Sequence, residues 1–174
     1  MVSGFDRDYK EGLQDWLKQQ SWTHFITIEP SPSLPVPQEE IERRLRVLEF
    51  ELNKTYLKRS FPRWEDENRF WMIGFREGDG ISHQKHYHIL LYSPSVLHKK
   101  SWYANVSADL QMEWLMLPSY HPNTGKRLEF PPLNIQSVKD VSASSIYSSK
   151  WVKRIDDGES WFFPTPPNKT KVAA

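Results

Sequence analysis

No cysteine occurs in the 174 residues, and this excludes disulfide frameworks, thiolate zinc sites and cysteine nucleophiles together. Any metal has to be held by histidine, aspartate, glutamate or a similar nitrogen or oxygen donor. Glycine (7) and proline (13) are not in excess, which argues against collagen-like or low-complexity chains. Charge of one sign is not in surplus either: 23 basic against 22 acidic residues leave a net charge of +1, too little to bind polyanions by bulk attraction. No apolar run approaches the roughly 18 residues that a membrane span needs. The opening "MVSGFDRDYKEG" has no apolar signal core, so an intracellular protein without membrane contact is expected. Neither an internal repeat nor a low-complexity block is found.

What is there is ordinary for a folded domain: 38% hydrophobic and 26% charged residues. The length suits one domain, expected over residues 1–160, with 161–174 as a flexible C-terminal tail. Charge is unevenly spread. Lys139, Lys150, Lys153, Arg154, Lys169 and Lys171 fall late, whereas acid concentrates in "WEDENRF", so a locally basic face is expected near the C-terminus.

The hydrophobic pattern changes period several times. Leu13, Trp16 and Leu17 have helical spacing and predict a short lead-in helix over 8–20. "WTHFITIEP" alternates as a strand stopped by Pro30, and "SPSLPVP" is a proline-rich connector. From Gln38 to Lys58 the stripe Ile41, Leu45, Leu48, Leu52 and Tyr56 predicts a long helix, opened by Pro37 and an acidic first turn, its charged face solvated. "RFWMIGFRE" and "KHYHILLY" flank a glycine-containing turn and predict a hairpin. "SADLQMEWLML" predicts a further helix and "LNIQSV" a last strand. "VSASSIYSSKWVKRI" predicts a helix capped by serine, with Ile146, Trp151 and Ile155 on one stripe. The order (α)βαββαβα gives an α+β fold: a central antiparallel sheet flanked by helices, of the ferredoxin-like or RRM-like kind.

Three histidines crowd into "HQKHYHILLY". Strand residues two apart share a face, so His86 and His88 project side by side. An H-x-H pair is weak as a motif, because half-buried structural histidines look the same. The hairpin adds a constraint: a loop from Gly78 to Lys85 sets Glu77 opposite His86 and on its face, where cross-strand Cβ atoms approach to about 5 Å. Two imidazoles and one carboxylate would then converge on an open site for a divalent cation such as Mn²⁺ or Mg²⁺. His83 is the rival third ligand, but its parity sends it to the other face. Asp79 is a weaker rival.

Downstream, Tyr147 is followed three residues later by Lys150. On a helix, Tyr147, Lys150 and Arg154 share a face, so a phenol between cations can meet a phosphate. The bland alternative is a packed tyrosine beside solvated lysine. Of the eight tryptophans, Trp102 and Trp151 lie beside lysines and can stack on unpaired bases, whereas most belong to the core.

The order "FITIE", "HYH", "YSSK" resembles the three motifs of the HUH endonucleases, in particular the single-tyrosine replication initiator (Rep) proteins of rolling-circle plasmids and small circular single-stranded DNA viruses. The resemblance spans about residues 22–154. It implies an RRM-like sheet, a third metal ligand from the strand before the histidines, and a nucleophilic tyrosine on a later helix. Relaxases of the superfamily carry the tyrosine ahead of the histidines; here it follows them. The resemblance further implies that Tyr147 attacks a phosphodiester of single-stranded DNA at a stem-loop origin, giving a 5′-phosphotyrosine and a 3′-hydroxyl, with Lys150 orienting the phosphate or easing phenol deprotonation. No G-x-x-x-x-G-K-[ST] occurs, so a helicase, like the host polymerase, is expected as a separate partner. Two other readings stand beside it. A Y1-type transposase shares the chemistry, although its tyrosine helix often carries a glutamine ligand and none follows Tyr147. A non-haem metal oxygenase or hydrolase would use the His-His-Glu set without the tyrosine. A noncatalytic RRM-like binder fits less well, since the aromatic RNP signature is absent.

Overall fold

A computed structural model describes residues 4–30, 36–58, 68–78, 86–120, 124–150, 152 and 160–165. The elements are α1 (Gly4–Lys18), β1 (Trp22–Ile28), α2 (Gln38–Leu57), β2 (Trp71–Glu77), β3 (His86–Tyr92), α3 (Val106–Met116), β4 (Asn134–Ser137), α4 (Val141–Ser148) and β5 (Trp161–Phe162). They form one five-stranded sheet of order β4-β1-β3-β2-β5, in which every pairing is antiparallel. The stretch from β1 to β4 is the ferredoxin-like βαββαβ unit: β3 inserts between β1 and β2, so α2 carries the chain across the gap.

Helices cover both faces, which is why β2 and β3 are almost continuously buried instead of alternating. Ile26, Ile28, Met72, Tyr87, Ile89 and Leu91 pack against Ile41, Leu45, Leu48 and Leu52 of α2 and Leu110 and Trp114 of α3. On the opposite face, Phe25, Ile73, Phe75 and Leu90 pack with Leu13, Trp16 and Leu17 of α1 and Val141 of α4. A register irregularity between Trp22 and His24 lets Trp22 join this second cluster despite its even number.

Four expectations change. The charged face of α2 is not wholly solvated. Arg44, Glu49 and Asn53 are buried: Arg44 donates to the carbonyls of Leu117 and Trp114 between the rings of Trp114 and Phe130. Glu49 accepts from the amide of Met72, and Asn53 pairs with both backbone groups of Phe70, so these polar groups dock β2 onto the helix. Next, α4 ends at Ser148 instead of running to Ile155; there the Ser148 and Ser149 hydroxyls donate back to the carbonyls of Ser144 and Ser145, side-chain bonds of a kind that weakens and bends a helix. Its cap is Asp140, whose carboxylate accepts from the amide of Ala143 at 2.9 Å, not a serine. Finally, the expected tail boundary at 161 moves: Trp161 and Phe162 form β5 on the edge of β2, with Phe163 in the aromatic cluster and the carbonyl of Pro164 accepting from Arg46. The aromatic side chains of "WFF" supply the burial that a flexible tail lacks.

Candidate metal centre and its tyrosine

The site is built from the period of two in the hairpin. β2 and β3 pair with Glu77 opposite His86 and Phe75 opposite His88, as the sequence predicts for that loop, so all three polar side chains leave the sheet on the face covered by α1 and α4. One carboxylate oxygen, Oε2 of Glu77, lies 2.8 Å from Nε2 of His88 and 3.1 Å from Nε2 of His86. The donor atoms of all three fall within 4.8 Å of one another, and the group can hold a metal ion. Two imidazoles and a carboxylate on a shared face, with no fourth ligand closing the site among the described residues, leave room for water or a substrate oxygen.

The surroundings suit that use. Nδ1 of His88 is 3.3 Å from Oγ1 of Thr27 on the neighbouring strand. Without a cation, Nε2 of His88 carries the proton donated to Glu77; with a cation bound, a proton on Nδ1 donated to Thr27 would leave the Nε2 lone pair free for the ion. His88 is only 3% exposed. Burial lowers its pKa; the hydrogen bond to Glu77 opposes this, and the neighbouring His86 adds to it, so the imidazole stays below the ordinary histidine value. A neutral imidazole is a ready ligand, whereas an imidazolium is not. Phe25 stacks on His88 at 5.2 Å between ring centroids.

α4 brings the phenol to the same place. The Tyr147 ring lies 5.0 Å from the His88 ring and 6.0 Å from Phe25, edge-on to both, and the residue is 48% exposed. Set against protein-family models, curated proteins and solved structures, the chain matches none.

Lys150 lies on the turn after α4, not on the helix as expected. The turn nonetheless serves it well. Its ammonium reaches Oε1 of Glu77 at 2.8 Å and sits 3.9 Å from the centroid of the Tyr147 ring, so it bridges the carboxylate and the phenol. Burial would lower its pKa, but hydrogen bonds to Glu77 and Tyr147 outweigh that and raise it; Lys150 is a cation at neutral pH. A groove of about 580 Å³ opens beside these groups and is lined by Phe25, Thr27, His86, His88, Asn134 and Tyr147, among others.

The predicted residues Glu77, His86, His88, Tyr147 and Lys150 thus come together. His83, Asp79, Trp151 and Arg154 lie outside the described residues. Sequence reasoning missed Thr27 and Phe25 as supports. Their signal was parity: in "FITIE" both odd residues share a face that the antiparallel neighbour fills with His88 and Leu90.

Proposed function

We propose that the chain cuts and rejoins single-stranded DNA, with Tyr147 as nucleophile, in the manner of the Rep-type HUH endonucleases that its motif order resembles. One observation carries the reading: a half-exposed phenol, 5.0 Å ring to ring from a histidine of the metal-binding group, contacts an ammonium that also pairs with the third ligand of that group. A solvated surface tyrosine would have no such neighbours.

The residues divide the work. Glu77, His86 and His88 fit a divalent cation, Mn²⁺ or Mg²⁺, which when bound supplies Lewis-acid polarisation of a non-bridging phosphate oxygen. Phe25 and Thr27 hold the imidazole of His88 in place. The Lys150 ammonium, in contact with the Tyr147 ring, orients the phosphate beside the phenol, whose proton passes to solvent. Tyr147 Oη then forms a bond to phosphorus as the bond from phosphorus to the 3′ oxygen breaks, leaving a 5′-phosphotyrosine and a 3′-hydroxyl once that oxygen takes up a proton. Attack by a 3′-hydroxyl on the phosphotyrosine reverses the step and joins strands without ATP. The free 3′-hydroxyl can prime a polymerase, which accounts for origin DNA, a separate helicase and a host polymerase as the partners of this reading.

The test is incubation with Mn²⁺ and end-labelled single-stranded oligonucleotides, among them stem-loops, followed by denaturing electrophoresis. A covalent adduct is expected from the wild-type chain and none from Tyr147→Phe, with oligonucleotide binding retained. An adduct undiminished in Tyr147→Phe would refute the assignment. The donor set alone also suits a non-haem iron oxygenase or a metal hydrolase; that reading predicts no adduct with any oligonucleotide.

A further inference from the structure

Lys150 reaches Glu77 and Tyr147 from the short turn that follows α4. α4 stops at Ser148, and backbone bonds from the amide of Lys150 to the carbonyl of Tyr147 at 3.4 Å and from the amide of Val152 to the carbonyl of Ser149 at 3.1 Å close the turn. Side chains of α1 add to this order. Lys10 and Gln14, one helical turn apart and therefore on one ridge, both reach this turn across the sheet face: Nζ of Lys10 donates to the carbonyl of Lys150 at 2.6 Å, and Nε2 of Gln14 donates to Oγ of Ser149 at 3.2 Å. The Lys10 contact is charge-assisted and lies at the C-terminal end of α4, where unpaired carbonyls gather partial negative charge that an ammonium offsets. Ser149 is fully buried and is fixed from the other side by its bond to Ser145.

We infer that α1 is a positioning element for the proposed strand-transfer site. Lys10 and Gln14 hold the Ser149–Lys150 turn so that the Lys150 ammonium stays between Glu77 and Tyr147. Neither residue touches the reacting atoms; they act through the placement of Lys150. Docking of α1 therefore sets the rate of the chemical step, not the affinity for metal or DNA. The inference rests on the function proposed above, and it extends that function to a helix lying outside all three motifs, more than 130 residues from the tyrosine.

Two measurements on Lys10→Met, Lys10→Arg and Gln14→Leu test it, with Lys18→Met as a control that removes an α1 lysine paired with Asp15 of its own helix. The first is amide hydrogen exchange at Ser149, Lys150 and Val152, which needs no activity. The second is the single-turnover rate of adduct formation at saturating oligonucleotide and Mn²⁺. Lys10→Met is expected to speed exchange at those amides and slow the adduct step roughly tenfold, since misplacement by an ångström commonly costs that or more. Affinities for oligonucleotide and Mn²⁺ should stay within about twofold, Lys10→Arg should restore the rate, and Lys18→Met should match the wild type. Unchanged exchange in both Lys10→Met and Gln14→Leu overturns the positioning role, whether or not adduct forms. So does faster exchange with an unchanged adduct rate. A wild-type chain that forms no adduct overturns the strand-transfer reading instead, and exchange then still decides whether α1 holds the turn. If Lys10→Met does not fold, Gln14→Leu decides by the same criteria.

Discussion

At the residue scale, the convergence of Glu77, His86 and His88 was legible because a strand offers only two faces. Glu77, His86 and His88 follow from alternation and one loop length, and the register of the hairpin agrees. Lys150 was legible as a neighbour of Tyr147 but not as a partner of Glu77, because that contact depends on how a helix packs on the sheet. The ion pair leads to an uncommon expectation. Removing the ammonium in Lys150→Met should slow adduct formation and yet tighten Mn²⁺ binding about three- to tenfold, because a cation 2.8 Å from a ligand carboxylate opposes any second cation there. Isothermal titration read beside the adduct rate separates the two effects; weaker Mn²⁺ binding would show that Lys150 organises Glu77 instead of competing for it. Thr27→Val should act the other way. It keeps the shape of the side chain, removes the hydrogen-bond partner of His88 Nδ1, and should weaken Mn²⁺ binding roughly tenfold or more.

At the scale of elements, the long amphipathic helix and the hairpin were read correctly because their periods persist over several repeats. Two short elements were not. α4 was drawn too long, since nothing in the spacing of Ile146, Trp151 and Ile155 reveals that Ser148 and Ser149 turn their hydroxyls back on the helix. β5 is two residues long and has no period to detect. Its anchor is a cross-strand pair of Gly74 with Phe162, in which the aromatic ring covers the glycine: a Cβ added at Gly74 would come within 2.4 Å of the ring. Gly74→Ala should therefore push Phe162 out, release β5 from β2, and cost about 1–3 kcal/mol by urea unfolding. Faster amide exchange at Arg76, which donates to the carbonyl of Ser160 at 2.9 Å, would locate the damage at this edge. The metal group lies three residues along β2, so its Mn²⁺ affinity should change little.

For the whole molecule, the order of helices and strands sufficed to predict the sheet and its layers, because βαββαβ leaves few ways to bury both faces. What the order could not give is which polar groups end up inside. Two of them are histidines whose pKa values lie below the ordinary range: His24, lowered by burial and then by the charge of His98, and His88, lowered chiefly by burial. The sign of the consequence is fixed by linkage. Above the unfolded-state value of about 6.5 both histidines are neutral in either state and add no pH dependence. As pH falls below it, the unfolded chain takes up protons that the folded chain refuses, so stability drops, by up to about 1.4 kcal/mol per pH unit for each histidine, until the depressed folded values are reached. Urea midpoints of the metal-free chain should thus fall steadily between pH 7 and pH 5. His24→Gln should flatten that slope relative to wild type even if it lowers the plateau, and an unaltered slope would mean that His24 is not the group refusing the proton. Saturating Mn²⁺ should raise the midpoint at pH 7.5, by about 2.7 kcal/mol at a hundredfold excess over Kd, and do so less as pH falls, because protons compete with metal for ligand groups. His86→Ala/His88→Ala should abolish the metal-dependent gain while leaving the acid sensitivity of His24 in place.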